Sequence, residues 1–422
     1  MNKKRDYGEF IIGLVLLVGV ILLGRAKLDG DMLVFRLTIG IALGYVFARA
    51  YTGFAGSVNR AYNTGSTKLM RAMVLMFLVT AIGVAGILVF NGDAVEYRLN
   101  VNPITLGLLV GGIMFGFGMS LSSCCASGIM SDLANETPKA LITMFFFGMG
   151  VVLGMPFDGK EWVNESWIKV GERNGVFFPD LFSGNGYLGG LLITALLTLI
   201  FVVVAYMYES SRKRKGTLGV VASEAKAENE RHIEVPENQE ELKGYIFDKL
   251  FVNSWSVYTG GLIIAVLFLV IFGATQGGWG ASGPFGNWFA KIVMLFGVKA
   301  ETLANYAGKD VEFFTGSIFA NGIGVQNMGI FVGALVYLLT SGQLVETTKN
   351  FFNYPKFQWL LFALGGVTMG FGTRLSKGCN AGALYTPIAQ MSLSGWIFLL
   401  ALIVGGILGN SFQKKIFEKA SD

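Results

Sequence analysis

Two of the three cysteines in this chain lie at the same position of a repeated glycine-rich pattern. The pattern covers residues 111–128 and again residues 365–382, and it places Cys125 in the first copy and Cys379 in the second. A thiol is small, polarizable and cheap to bury, and it is both a weak donor and a weak acceptor. A duplicated unit that brings two thiols to a common axis therefore predicts a pore or transport site for a soft, sulfur-bearing solute.

Polar side chains beside the cysteines are candidates for contacts to the oxyanion part of such a solute. They are Ser123 and Asn380, together with the hydroxyls of Ser120, Ser122, Ser127 and Ser376. Arg374 and Lys377 add positive charge just before Cys379 and predict an electrostatic funnel for anions. Cys124 has no counterpart, because Gly378 occupies its place in the second copy, and we assign it a secondary role.

Each of these assignments has a structural alternative. A single buried cysteine is commonly a small core residue, so the functional case for Cys125 and Cys379 depends on their matched positions. Arg374 and Lys377 are equally well placed to extend from a helix end to the membrane–water interface. Both interpretations of the two cations stay open at this point.

The residue types argue against a metal, a haem group or ATP. Three cysteines form no Cys-x-x-Cys pair, and the one histidine, His232, lies in a polar segment. No Gly-x-x-x-x-Gly-Lys-Ser/Thr motif is present in the sequence. We expect no cofactor, and passage of the solute without ATP.

Composition predicts an all-α polytopic membrane protein. The 422 residues are 53% hydrophobic and 14% charged, and the mean hydropathy is +0.57. Several apolar runs approach the roughly 20 residues that a helix needs to cross about 30 Å of hydrocarbon. They are residues 10–24, 33–48, 72–90, 187–207, 257–273, 328–340, 357–371 and 395–409.

The net charge of +5 indicates membrane topology and not nucleic-acid binding. Basic residues gather at the ends of the apolar runs, and such clusters favour the cytoplasmic side. They are Lys3, Lys4 and Arg5, then Arg212, Lys213, Arg214 and Lys215, and finally Lys414, Lys415 and Lys419. We therefore expect the N-terminus, the C-terminus and the segment after residue 208 to be cytoplasmic.

A charged segment at 209–250 divides the chain into two membrane halves. It is rich in glutamate and poor in apolar residues, so we expect a solvated cytoplasmic linker with some helix. Residues 1–208 then form a first half with about six spans. Residues 251–422 form a second half with four spans and a re-entrant, Gly- and Pro-interrupted piece at 279–297.

This count of spans places the two cysteine motifs on opposite sides of the membrane. That is the inverted-repeat arrangement of many transporters, in which broken helices meet near the midplane at a central constriction. Residues 129–137 and 383–394 are short, mixed in polarity and next to Pro138 or including Pro387, which predicts the broken helices. A surface loop between two spans is the alternative for each segment.

These residues resemble the YeeE/YedE family of bacterial inner-membrane proteins, which take up thiosulfate and related sulfur compounds. The resemblance is carried by the motifs at 111–128 and 365–382, the segment 49–60, and residues 279–288. It implies a monomeric hourglass of two inverted halves, in which thiosulfate passes a constriction by transient hydrogen bonds to cysteine thiols. It also implies delivery to a small cytoplasmic sulfur-carrier protein.

One departure from the family bears on the solute. Where this chain has Gly53, the family commonly has a cysteine, so one relay thiol is missing here. Selenium compounds and other sulfur species are also associated with the family. The resemblance therefore leaves the identity of the solute open.

The sequence predicts a membrane permease for a small sulfur-containing anion, thiosulfate first, with Cys125 and Cys379 at the constriction. A transporter of another sulfur or selenium species is one alternative. A second is a membrane sulfurtransferase or redox enzyme with a cysteine persulfide, for which Cys379 has a cationic neighbourhood in sequence. A third is a membrane anchor that binds a cytoplasmic partner through residues 209–250.

Overall fold

The computed structural model describes residues 7–349, 352 and 354–421, and within these residues the chain is helical apart from loops and isolated bridges. The basic residues Lys3, Lys4 and Arg5 lie outside the described residues. Ten long helices occur in the described part of the chain. They are α1 (Tyr7–Lys27), α2 (Asp31–Ala50), α3 (Lys68–Asn91), α4 (Leu106–Ser122), α5 (Thr137–Gly154), α6 (Gly186–Arg214), α7 (Val257–Thr275), α8 (Gly322–Thr340), α9 (Lys356–Leu375) and α10 (Leu393–Ser421).

Nine segments of the described residues are long and apolar enough to cross a membrane, and α9 is not among them. The segments that contain α2 and α4 extend through the short helices that follow, to Thr64 and Asn135. The prediction of an all-α polytopic protein is therefore confirmed. Helix α9 has 20 residues and packs along both α4 and α5, so it belongs to the same bundle.

Short helical segments fill the connections. They are Phe54–Thr64, Gly92–Ala94, Ala126–Asn135, Met155–Phe157, Glu161–Asn164, Phe178–Leu181, Ala222–Arg231, Gln239–Phe247, Asp248–Val252, Gly283–Leu295, Ala300–Ala307, Val311–Thr315, Leu344–Thr348, Asn380–Tyr385 and Thr386–Ala389. The segment predicted to be re-entrant contains Gly283–Leu295, whose 13 residues give a helix of about 20 Å, shorter than the hydrocarbon layer.

The two cysteine-bearing copies meet along α4 and α9. A Cβ atom added at Gly111 would lie 2.7 Å from the Gly372 carbonyl oxygen, and one added at Gly118 would lie 2.4 Å from that of Gly365. The early part of α4 therefore faces the late part of α9, and the two helices run antiparallel. Only residues without a side chain permit this approach, which is the small-residue packing expected between helices in lipid.

The neighbours of these two helices pack in a reciprocal way. Helix α10 runs parallel to α4, with Gly116 against Leu402, and α5 runs parallel to α9, with Gly370 against Phe147. Among the earlier helices of each half, α2 packs on α8 and α3 packs on α7. Apart from α6, which packs mainly on α3 of its own half, each long helix has its main partner in the other half, so the two halves are interlocked.

The segment 209–250 is anchored to the membrane helices. Helix α6 continues through Arg214, and the helix Ala222–Arg231 follows. Glu224 of that helix pairs with Arg60 at 3.1 Å, and its other carboxylate oxygen accepts a hydrogen bond from the Ser66 hydroxyl at 3.0 Å. This part of the predicted solvated linker therefore lies against the short helix Phe54–Thr64.

The close α2–α8 contact predicts a position-specific cost of adding one methyl group. A Cβ at Gly44 would lie 1.9 Å from the Ile330 carbonyl oxygen, whereas a Cβ at Gly86 of α3 would meet no atom within 4 Å. We expect Gly44→Ala to destabilise the protein by about 1–3 kcal/mol or more, because backbone must move apart. We expect Gly86→Ala to leave stability unchanged or raise it slightly, because alanine favours the helix. Thermal unfolding of the two variants in detergent measures the difference, and equal melting temperatures would contradict this packing.

Candidate functional site

Each predicted cysteine lies just after a helix break of the same geometry. Helix α4 ends at Ser122, Ser123 adopts a left-handed conformation with φ 54°, and Cys125 has an extended backbone before the helix Ala126–Asn135. In the second copy Lys377 has φ 61°, and Cys379 is extended before the segment Asn380–Tyr385. The predicted broken helices are therefore present, and the breaks lie at 123–125 and 376–379, before the segments 129–137 and 383–394.

Serine hydroxyls at matching positions donate hydrogen bonds to backbone carbonyl groups at the two helix breaks. The Ser122 hydroxyl donates to the Gly118 carbonyl at 2.9 Å, and the Ser376 hydroxyl donates to the Gly372 carbonyl at 2.7 Å. Each hydroxyl also lies within reach of the carbonyl two residues further on, at 3.4 Å for Cys124 and 3.0 Å for Gly378. Ser122 and Ser376 thus satisfy backbone groups, which would be costly to leave unpaired in lipid. These two hydroxyls are engaged and are poor candidates for contacts to a solute.

The two cysteines are both buried in the core of the bundle. Cys125 and Cys379 are each 1% exposed and belong to the same cluster of buried side chains. The Cys125 thiol lies 3.6 Å from the Ser127 hydroxyl. Asn380 joins the two copies directly, because its amide lies 3.3 Å from the sulfur of Met119 on α4. The structure therefore brings Cys125, Cys379 and Asn380 into one region.

A cavity of about 390 Å³ opens onto this region, and we call it the thiol cavity. Its lining includes Ser123, Cys124 and Cys125, whereas Cys379 is not among its lining residues. A second cavity of about 300 Å³ shares four lining residues with the first, Ala48, Tyr51, Asn135 and Glu136. The two cavities thus lie side by side and lead away from Cys124 and Cys125.

Gly53 also lines the thiol cavity. A Cβ at this position would meet no atom within 4 Å, and the residue has φ −61°, which any L-residue adopts. The position where the family commonly has a cysteine therefore faces open space beside Cys125. Glycine here is not required by the backbone.

Aromatic rings close the cavity on the side of the second copy. Phe47 lines the cavity and stacks on Trp279 with ring centroids 5.9 Å apart. Behind them Tyr385 lies edge-on to Trp279 at 6.2 Å, and its hydroxyl is 2.8 Å from that of Thr80. Trp279 is 1% and Tyr385 0% exposed, so this aromatic cluster is buried behind the cavity wall.

Arg374 and Lys377 are directed away from the thiol cavity. The Lys377 ammonium donates to the Asp158 carbonyl oxygen at 3.1 Å, and the Arg374 guanidinium lies 4.0 Å from the Asp158 carboxylate. Lys309 approaches the same carboxylate at 3.3 Å. The two predicted cations therefore belong to a basic cluster around Asp158, and this cluster carries more positive than negative charge.

The two arginines of segment 49–60 have different surroundings: Arg49 binds backbone carbonyl groups, and Arg60 lines the cavity. The Arg49 guanidinium donates to the carbonyl oxygens of Lys249, Leu250 and Asn253 and lies over the ring of Trp255. It therefore fixes the entry to the second half. Arg60 lines the thiol cavity.

The sequence did not predict that a cluster of three charged residues lines the cavity. Lys139 at the start of α5 pairs with Asp132 at 3.2 Å and with Glu136, and all three residues line the thiol cavity. The sequence signal was the spacing of Asp132, Glu136 and Lys139 around Pro138. The fold turns this segment back beside Cys124, so that the three charges face one space.

The sequence of the chain is similar to those of known proteins. A family model described as sulphur transport matches residues 49–408, which include both cysteine motifs. The chain belongs to this sulphur-transport family. It is a multi-pass membrane protein, and its resemblance to the YeeE/YedE family is confirmed.

Individual relatives carry transporter names. A protein named "Probable transporter YedE" from Salmonella typhimurium is 30% identical over 161 residues, and the match covers 38% of each chain. The chain thus spans about 38% of the length of this relative. A protein named thiosulfate transporter TsuA from Escherichia coli is 23% identical over 89% of this chain and 93% of its own length. TsuA from Spirochaeta thermophila is 23% identical over 87% of this chain and 95% of its own length.

The position of the two thiols predicts different reactivities in this member of the sulphur-transport family. In a variant that retains only Cys125, methyl methanethiosulfonate reaches the thiol through the cavity that Cys125 lines. In one that retains only Cys379, the thiol is buried and lies off the lining of that cavity. We expect Cys125 to be modified several-fold faster than Cys379, because reaction requires access as well as a thiolate. A time course of intact mass measures both rates. Equal rates would place Cys379 on an open cavity as well.

Proposed function

We propose that this chain is a permease that passes a small sulfur-containing anion, with thiosulfate as the first candidate, between the thiols of Cys125 and Cys379. The observation that carries this proposal is a pair of matched helix breaks, each followed by a buried thiol, with Cys125 on the lining of a cavity. Helix breaks inside a membrane persist where they line protein or a water-filled space. Membership of the sulphur-transport family supports the same conclusion.

We infer that the two halves are inverted repeats. Helices α4 and α9 carry equivalent motifs and run antiparallel, and most long helices of each half pack mainly on a helix of the other half. Antiparallel equivalents are what an inverted repeat requires. In this arrangement the termini are cytoplasmic, the working unit is a monomer, and the membrane is the bacterial inner membrane.

The chemistry of the constriction suits transient binding. A neutral thiol interacts weakly with a terminal sulfur atom and leaves the anion free to move on. Cys125 and Cys379 hold the sulfur end, whereas Ser123, Asn380 and the secondary thiol Cys124 are placed for the oxygen end. Arg374 and Lys377 act at a distance, as part of the basic cluster that attracts anions.

The name thiosulfate transporter belongs to the TsuA relatives, and two of them match this chain over most of its length. Thiosulfate is therefore the solute to test first, and other sulfur or selenium anions come second because Gly53 replaces a family cysteine. A small cytoplasmic sulfur-carrier protein is the proposed recipient.

Replacement of the paired cysteines tests the constriction. We expect Cys125→Ala and Cys379→Ala each to lower the initial rate of labelled thiosulfate uptake into vesicles roughly tenfold. Each substitution removes one hydrogen bond to the solute, and the loss of about one hydrogen bond weakens an interaction by roughly that factor. Cys124→Ala is the matched control and should lose less, because it has no counterpart in the second copy. Uptake at the wild-type rate in both paired variants would contradict the constriction.

The state of the thiols during transport separates a permease from a membrane sulfurtransferase. We expect intact-mass spectrometry after thiosulfate exposure to find Cys379 unmodified while uptake proceeds, because the basic side chains near it in sequence contact Asp158 and do not activate a thiolate. A stable mass gain on Cys379 would instead support covalent persulfide chemistry. Absence of any solute flux would favour a membrane anchor.

A further inference from the structure

Three charged residues form an ion-pair network on the wall of the thiol cavity. The Lys139 ammonium lies 3.2 Å from the Asp132 carboxylate and pairs also with Glu136. The Lys139 side chain is 6% exposed, that of Asp132 is 24% and that of Glu136 is 41%. Cys124 lines the same cavity as these three charged residues. The network therefore adjoins the thiols and contains one deeply buried cation.

The location of this network distinguishes it from an ordinary structural ion pair. A buried ion pair that only joins two helices would be enclosed by them, but Asp132, Glu136 and Lys139 all line an open cavity. The other cation in the lining, Arg60, is held by Glu224 and also donates to the Tyr51 carbonyl oxygen. Lys139 is thus the cation that an anion meets beside the cysteines.

Glu136 is the partner of Lys139 that can leave. It is the most exposed member of the network, with a side chain that is 41% exposed against 24% for Asp132, so it is the less enclosed of the two carboxylates. Tyr354 lines the neighbouring cavity together with Glu136 and offers that carboxylate an alternative contact. Burial, with a smaller contribution from the charge of Glu136, raises the pKa of Tyr354 to about 12, so this hydroxyl stays a donor at neutral pH.

We propose that Lys139 is a second binding point for the transported anion, beyond the thiols, and that Glu136 occupies this point between transport events. This inference rests on the permease function proposed above. An arriving anion takes the place of the Glu136 carboxylate, so the buried ammonium keeps two anionic neighbours throughout. The Glu136 carboxylate also assists release of the anion. Its return gives the buried Lys139 ammonium a second negative partner as the anion leaves.

Two substitutions with opposite expected effects test the proposal. In proteoliposomes, Lys139→Gln should raise the KM for labelled thiosulfate roughly tenfold, because a charge-assisted hydrogen bond is lost. Glu136→Gln should lower the KM several-fold, because it removes the competing carboxylate. A purely structural network predicts that both variants are impaired. Lys169→Gln, which breaks the exposed pair with Glu165, is the matched control and should leave the KM unchanged.

A double variant separates binding from folding. Lys139→Gln alone leaves Asp132 without its cation and can destabilise the protein, whereas Asp132→Asn combined with Lys139→Gln removes both charges. We expect the double variant to regain the wild-type Tm in detergent but to keep the raised KM. We also expect thiosulfate to raise the Tm of the wild type and to lose this effect in the double variant.

The outcomes distinguish this inference from the function on which it rests. Wild-type proteoliposomes that take up no thiosulfate would count against the permease function. Wild-type uptake with an unchanged KM in Lys139→Gln and in the double variant would overturn the role of Lys139. A KM that rises in Glu136→Gln would overturn the role of Glu136 as a competitor.

Discussion

The site depends on the close antiparallel contact between α4 and α9. Glycines at Gly111 and Gly118 face Gly372 and Gly365, and any side chain at these positions would overlap the opposite backbone. In lipid the hydrophobic effect gives little attraction between helices, so van der Waals contact over such a smooth surface supplies much of the association. The same contact sets where the two helices end relative to one another. Because each cysteine follows its helix by a few residues, the glycine contact also sets where each cysteine-bearing segment begins.

The helix breaks then require that backbone polar groups be satisfied. A helix that stops inside a membrane exposes carbonyl groups at its end, and each unpaired group is costly in hydrocarbon. Ser122 and Ser376 answer this requirement with the same pair of contacts in both copies. The repeated motif therefore supplies a serine that caps the end of each helix as well as a thiol. This capping role explains why the two hydroxyls are bonded to backbone carbonyl groups.

Charge near the thiols is balanced and not simply positive. Arg60 is paired with Glu224, and Lys139 is paired with Asp132 and Glu136. A free cation beside the thiols would hold an anion tightly, whereas a paired cation can exchange partners. The unbalanced positive charge lies instead around Asp158, where Arg374, Lys377 and Lys309 gather. In the proposed function, attraction and passage are thus assigned to different parts of the molecule.

The sequence by itself determined the helical class, most of the long apolar helices and the presence of the duplicated motif, because hydropathy, glycine spacing and repetition are local properties of the chain. It also pointed to the helix breaks after α4 and α9. It could not determine the partners of charged side chains, which depend on residues distant in sequence. Arg374 and Lys377 precede Cys379 directly, yet the α9 geometry turns both toward Asp158. Asp132 and Lys139, in contrast, lie in and beside a segment that predicted only a broken helix, and the return of the chain beside Cys124 places their charges on the cavity. Tertiary structure decided these points because a side chain's electrostatic neighbours are set by packing in space.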